Sequence, residues 1–255
     1  MKIIISFLLL AFFIPAHGDM LKNAISSDLR SEKNISRDVY RNPFQTLSFF
    51  GIKPAMKVIE LSPGSGWYTE ILSQYLYEEG ELVAAHFNSE KGGFQKRSRL
   101  AFEDKMRSNS AYSRVKIVNI DSIYSNQSDV DAVLTFRNLH NWVGPTMNAI
   151  FKNSFAVLKP GGILGIVEHR GNKDLTLSQI KETGYFPEAL AIKEAEKHGF
   201  IFIAKSEINA NSKDIKNYPK GVWTLPPVMR MKKVNAKKYI EIGESDRFTL
   251  LFKKP

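Results

Sequence analysis

At 255 residues the chain has the natural size of one α/β domain with a sizeable core. It contains no cysteine, which excludes disulfides, thiolate metal sites and a cysteine nucleophile. The formal net charge of +10 suits nucleic acid, anionic lipid or an acidic substrate, and much of it lies in residues 205–255, with 12 Lys/Arg against 5 Asp/Glu. Nucleic acid is the less favoured partner, because no helix-turn-helix signature and no aromatic interleaving accompany the basic residues.

Residues 1–18 read as a secretory signal peptide. Lys2 is the positive start, Ile3 to Ile14 the apolar run, and Ala16-His17-Gly18 the small-residue cleavage site. The run is short for a membrane span, so no transmembrane segment is expected after cleavage, and the mature chain is expected in the periplasm or secreted. Residues 19–36 form a polar extension, loosely ordered or weakly helical, ahead of one domain at 37–255. The stretch Arg37 to Phe50 is expected to hold a helix with Pro43 in its first turn and Gly51 as its stop. Tyr40, Arg41 and Asn42 on it are candidates to line a site.

Lys57–Leu61 is a short apolar run with β-branched residues, the mark of a buried strand. The turn Ser62-Pro63-Gly64-Ser65-Gly66 follows, and apolar spacing from Trp67 to Tyr77 then predicts a helix. Gly64 and Gly66 permit positive φ and close approach to a ligand, beside the free N–H groups of a helix start. A dinucleotide fingerprint would need glycine where Thr69 stands, and no Gly-Lys-Ser/Thr of a P-loop follows. Further strands are expected at Gly80–Phe87, Val115–Ile120, Asp131–Phe136, Ile163–Val167, Phe200–Ile208 and Phe248–Phe252. Helices are expected at 91–106, 146–158 and 188–198, with a tight turn at Lys159-Pro160-Gly161-Gly162. Residues 209–246 form a basic insertion, and Tyr218-Pro219 with Gly221 to Pro227 argue for an ordered lid. The alternation of strand and helix gives a doubly wound, mostly parallel, Rossmann-like sheet.

The segment Glu60 to Thr69 resembles motif I of the class I S-adenosylmethionine (SAM)-dependent methyltransferases, and Leu-Lys-Pro-Gly-Gly before an apolar strand is also common there. The combination R-N-P-F, E-L-S-P-G-S-G-W-Y-T-E, T-F-R-N-L-H-N-W, K-P-G-G, E-H-R and W-T-L-P-P resembles a group of predicted exported bacterial methyltransferases. The resemblance implies seven strands with the last antiparallel. It implies SAM as cofactor, with Glu60, Ser62, Gly64 and Gly66 at its amino-acid end and Asp121 at the adenine. The acidic residue that takes the ribose diol is replaced by His86, with Asn88 and Glu90 nearby. Asn138 and His140 would line the transfer site, Asn138 touching cofactor as well, and His140 or His169 would take a proton from the acceptor. Glu168 would orient His169 or pair with Arg170, and Trp142 and Trp223 would wall an acceptor that is a small molecule or an envelope component. No metal site is expected, since the five histidines lack ligand spacing. Two other readings stay open: a non-catalytic binding module on the same fold, and a basic surface protein for anionic polymer. Asp121 also suits a plain cap, and His140 and His169 suit structural histidines.

Overall fold

A computed structural model describes residues 17–122 and 127–255. Most of the expected leader lies outside the described residues, and no described helix is long and apolar enough to cross a membrane. Eight strands form one mixed sheet: β1 (Lys57–Leu61), β2 (Glu81–His86), β3 (Lys116–Asn119), β4 (Val130–Phe136), β5 (Leu158–Gly171), β6 (Phe186–Pro187), β7 (Ile201–Ser206) and β8 (Arg247–Lys253). The order is β3-β2-β1-β4-β5-β8-β7, with the two-residue β6 added beside β5. The first five strands run parallel, and β8 pairs antiparallel with both β5 and β7. This is the expected Rossmann-like α/β sheet of the class I methyltransferase type, with β6 as the one extra strand.

Helices cover both faces. They are α1 (His17–Ser26), α2 (Glu32–Ile35), α3 (Asp38–Arg41), α4 (Pro43–Phe49), α5 (Thr69–Tyr75), α6 (Gly93–Arg107), α7 (Pro145–Val157), α8 (Leu177–Thr183), α9 (Glu188–Lys197) and α10 (Ala236–Ile242). Alternation along β1 divides its side chains between two cores. Ile59 and Leu61 join Met147, Phe151, Ala191 and Ala195 of α7 and α9. Val58 joins Leu47, Tyr68, Ile71 and Leu72 of the α4–α5 side. A sheet buried on both faces explains why the strands read as continuous apolar runs.

The helix expected to carry Pro43 in its first turn is α4, which begins at Pro43; the short α3 lies ahead of it, and Asn42 between the two stands at φ +41°, because a residue before proline avoids the right-handed helical region. The Lys159-Pro160-Gly161-Gly162 segment is a bulge within β5, where pairing jumps from Val130–Leu158 to Ala132–Ile163.

Residues 17–36 are not loose. Leu21 and Ala24 are buried. The fully buried Arg30 pairs with Asp38 at 2.7 Å and donates to the Ile25 carbonyl at 2.5 Å. Trp67 Nε1 donates to the Asn34 carbonyl at 2.8 Å. A mostly polar sequence hid this docking because the apolar stripe of α1 is short, Leu21 and Ala24 with Met20 and Ile25 beside them, and the remaining contacts are charges and backbone groups. The insertion is ordered as well: Tyr218, Val222, Leu225 and Tyr239 close over Tyr185 in a small core of their own.

Candidate active site

The carboxyl ends of β1, β4 and β5 open into two adjoining cavities that share Arg37, Arg41 and Arg137. Ligands in open α/β sheets bind at this edge, where crossovers diverge. The first cavity, about 140 Å³, is lined by Glu60, Ser62, Pro63, Gly64, Tyr68, Phe136 and Asn138 with those arginines. The second, about 310 Å³, lies under the insertion and is lined by His140, His169, Trp223, Pro226, Pro227 and Glu244 among others.

Local sequence explains the first cavity. Ser62 and Gly64 stand at φ +47° and +61°, so the chain turns sharply off β1. A Cβ at Gly64 would meet nothing within 4 Å, which leaves open space above the turn. Ser62 Oγ is buried without a hydrogen-bond partner among the described residues. Thr69, at the place of the third fingerprint glycine, donates its hydroxyl to Glu60 at 2.6 Å. Burial pushes the Glu60 carboxyl up to about 7, and the Thr69 bond opposes that rise. Asn138 Nδ2 sits 3.2 Å from the Leu61 carbonyl and 3.3 Å from that of Ser62, tying β4 to the turn. The Tyr68 ring stacks on Phe136 at 3.5 Å.

The second cavity is built on a histidine–carboxylate cluster. Glu168 is fully buried and lies 3.2 Å from His140 Nδ1. It also accepts the His140 and His169 backbone N–H groups. Facing a carboxylate, Nδ1 carries the proton, so His140 Nε2 is a free acceptor. His169 Nδ1 lies 2.5 Å from Ser245 Oγ. Burial first, with the guanidiniums of Arg247, Arg137 and Arg41 adding to it, holds His169 well below its ordinary range, so it is neutral.

Arg37 Nε, Arg41 Nε and Arg247 Nη2 reach the Glu244 carboxylate at 2.6, 3.3 and 2.5 Å. Those guanidiniums and that of Arg137 hold Glu244 down to about 2 against its own burial. Burial and neighbouring guanidiniums bring Arg137 down to about 10, leaving it charged at neutral pH.

Several sequence-predicted residues stand elsewhere. His86 turns inward: Nδ1 accepts the Phe87 N–H at 2.8 Å, which leaves Nε2 as donor to the Gly64 carbonyl at 3.1 Å. Neither ring nitrogen is left for a ribose diol. Asp121 is exposed, pairs with Lys91 at 2.7 Å and lines neither cavity. Gly66, at φ +82°, packs its Cα side on Phe102 rather than lining the cavity. Of the three early candidates only Arg41 faces the site: Asn42 Nδ2 donates to the Ile208 carbonyl, and the Tyr40 carbonyl accepts from Arg247. Trp142 belongs to the core, while Trp223 walls the cavity. Glu168 orients His140 rather than His169, and Arg170 pairs with Glu188, Glu207 and Asp246.

His140, Glu168 and His169 bring ligand-type atoms within 4.8 Å, a grouping that sequence spacing did not reveal. Glu168 is spent on N–H donors, and the guanidiniums alongside disfavour a dication. Sequence reasoning missed Arg37, Glu244, Ser245 and Arg247. They are distant in the chain and carry no local pattern.

No protein-family model and no curated protein matches the sequence. Solved structures do. A SAM-dependent methyltransferase from Aquifex aeolicus aligns over 93% of this chain and 98% of its own, with TM-score 0.58 and 16% identity. The glycopeptide N-methyltransferase MtfA aligns over 83% and 94%, with TM-score 0.53 and 13% identity. The cyclase SpnF aligns over 94% and 97%, with TM-score 0.61 and 14% identity. At such identities the likeness establishes the fold, that of the class I methyltransferases, and the cyclase illustrates that one fold hosts different chemistries.

Proposed function

We propose that the chain is a SAM-dependent methyltransferase, exported to the periplasm or cell envelope, that acts on a small-molecule or envelope-component acceptor. The observation that carries this reading is the convergence of Glu60, the unpartnered Ser62 hydroxyl and the open space above Gly64 on one cavity, which adjoins the histidine-lined one. The fit is good at the amino-acid end of the cofactor, where Glu60 and Ser62 would receive its ammonium group. At the ribose the fit departs from the usual pattern, since His86 is committed to Gly64 and the Asn88 side chain accepts the Glu90 N–H. SAM, when bound, supplies an electrophilic methyl group.

The chain's own residues contribute proximity and proton handling. Thr69 and the turn hold the Glu60 carboxylate toward the first cavity. Asn138 fixes the end of β4 against the turn. Glu168 sets the tautomer of His140, so Nε2 accepts the proton that a hydroxyl or amine acceptor releases. Trp223, Pro226 and Pro227 form one wall of the second cavity. Calorimetric titration of SAM into the folded protein, with Gly64→Arg as control, tests the reading. Binding that the control abolishes supports it. No binding by a folded sample defeats it and favours a binding module on the same fold, the reading that the inward His86 supports.

A further inference from the structure

The guanidiniums between the two cavities carry more positive charge than the protein neutralises. Arg37, Arg41 and Arg247 share the single carboxylate of Glu244, and Arg137 makes no ion pair among the described residues. Glu168 is occupied with His140 and His169. Arg41 is 2% exposed, yet its Nη1 has no hydrogen-bond partner among the described residues. A buried, unpartnered guanidinium nitrogen is destabilising, and so is a crowd of like charges. Arg137 adds backbone strain, standing at φ +64° directly after β4. Sequence folding alone does not require this arrangement, since apolar residues would pack the same space at lower cost.

We propose that the cavity under the insertion is an acceptor subsite for a small anionic compound, held through a phosphate or carboxylate group by Arg37, Arg41 and Arg137. The inference rests on the SAM reading and names its substrate class. Guanidinium forks match the oxygens of both groups. The cofactor cannot discharge the cluster. SAM carries one carboxylate, one ammonium and one sulfonium, so it adds positive charge beside the arginines. An anionic acceptor removes the excess, and it also places its nucleophile next to His140. A volume of about 310 Å³ suits a small molecule, with Trp223 and the two prolines for its less polar part. Polymer binding by surface lysines does not call for buried arginines.

The test is calorimetric titration of inorganic phosphate, and separately of succinate, into the full chain without SAM. Saturable binding of at least one is expected, weakened tenfold or more by Arg37→Gln and by Arg137→Gln. Lys232→Gln, on the exposed side of the insertion, leaves it unchanged. Tighter phosphate assigns a phosphorylated acceptor, and tighter succinate a carboxylated one. No saturable binding of either, or binding that both arginine variants leave intact, overturns the proposal. Arg137→Gln relieves charge crowding without breaking an ion pair, so it is expected to melt no lower than the parent without anion. These titrations are independent of SAM, and a SAM titration without anion reads the methyltransferase proposal by itself. Where both ligands bind, the anion tightens SAM, and SAM tightens the anion by the same factor.

Discussion

Replacing Glu244 by glutamine removes the one carboxylate that four guanidiniums face while nearly preserving its shape. The drop of its pKa from 4.5 to about 2 corresponds to about 3 kcal/mol of preference for the charged form in the folded chain. Breaking a buried pair by removing one partner has a similar cost, about 3–5 kcal/mol. Glu244→Gln is therefore expected to lose about 3 kcal/mol in urea unfolding at neutral pH. The sign follows from the depressed pKa. The contribution is complete above the unfolded value of 4.5 and disappears as pH falls toward about 2. The gap between parent and variant should narrow steadily below about pH 4.5. Added phosphate should recover part of the loss, because it supplies the missing negative charge. A loss under about 1 kcal/mol, or a gap that stays constant as pH falls, refutes the assignment of Glu244 as the counter-charge of the cluster.

Glu60 behaves in the opposite sense. Its pKa is raised from 4.5 to about 7, so stability is highest below 4.5 and declines as pH rises to about 7, by about 3 kcal/mol in all. Glu60→Gln should flatten that decline in pH-dependent unfolding, and an unchanged slope argues against a buried ionising carboxyl. Thr69→Val removes the 2.6 Å bond and should raise the Glu60 pKa further, read by carboxyl infrared titration. Arg30→Ala severs the Asp38 pair and the Ile25 carbonyl contact inside a buried setting. It should cost about 2–4 kcal/mol and speed hydrogen exchange selectively across residues 17–36. Gly66→Ala places a methyl 3.1 Å from Phe102 at φ +82° and should lower the melting midpoint by several degrees.

Much of the frame was legible in the chain. The β-branched run at Lys57–Leu61, the glycine pair after it and the 3.6-residue spacing beyond it specify strand, turn and helix through local sterics and burial. Repeating that pattern along the chain leaves a doubly wound sheet as the natural arrangement, and β8 closes it in the expected antiparallel sense. Glu60, Ser62, Gly64 and Asn138 were legible for the same reason, because they sit at strand ends that local pattern locates.

The charge network was a matter for the tertiary structure. Arg37 and Glu244 are 207 positions apart and meet only because β8 inserts beside β5 and brings its preceding turn over α3. His86 held the place of a ribose ligand in sequence, but the inward side of the β2 end and the Gly64 carbonyl claimed its ring. Glu168 is followed in the chain by His169 and Arg170, yet its side chain chose the ring of His140 from across the sheet edge. Periodicity encodes which face a residue takes. Pairing between distant charges depends on where whole elements pack, and there the sequence alone has no local signal to offer.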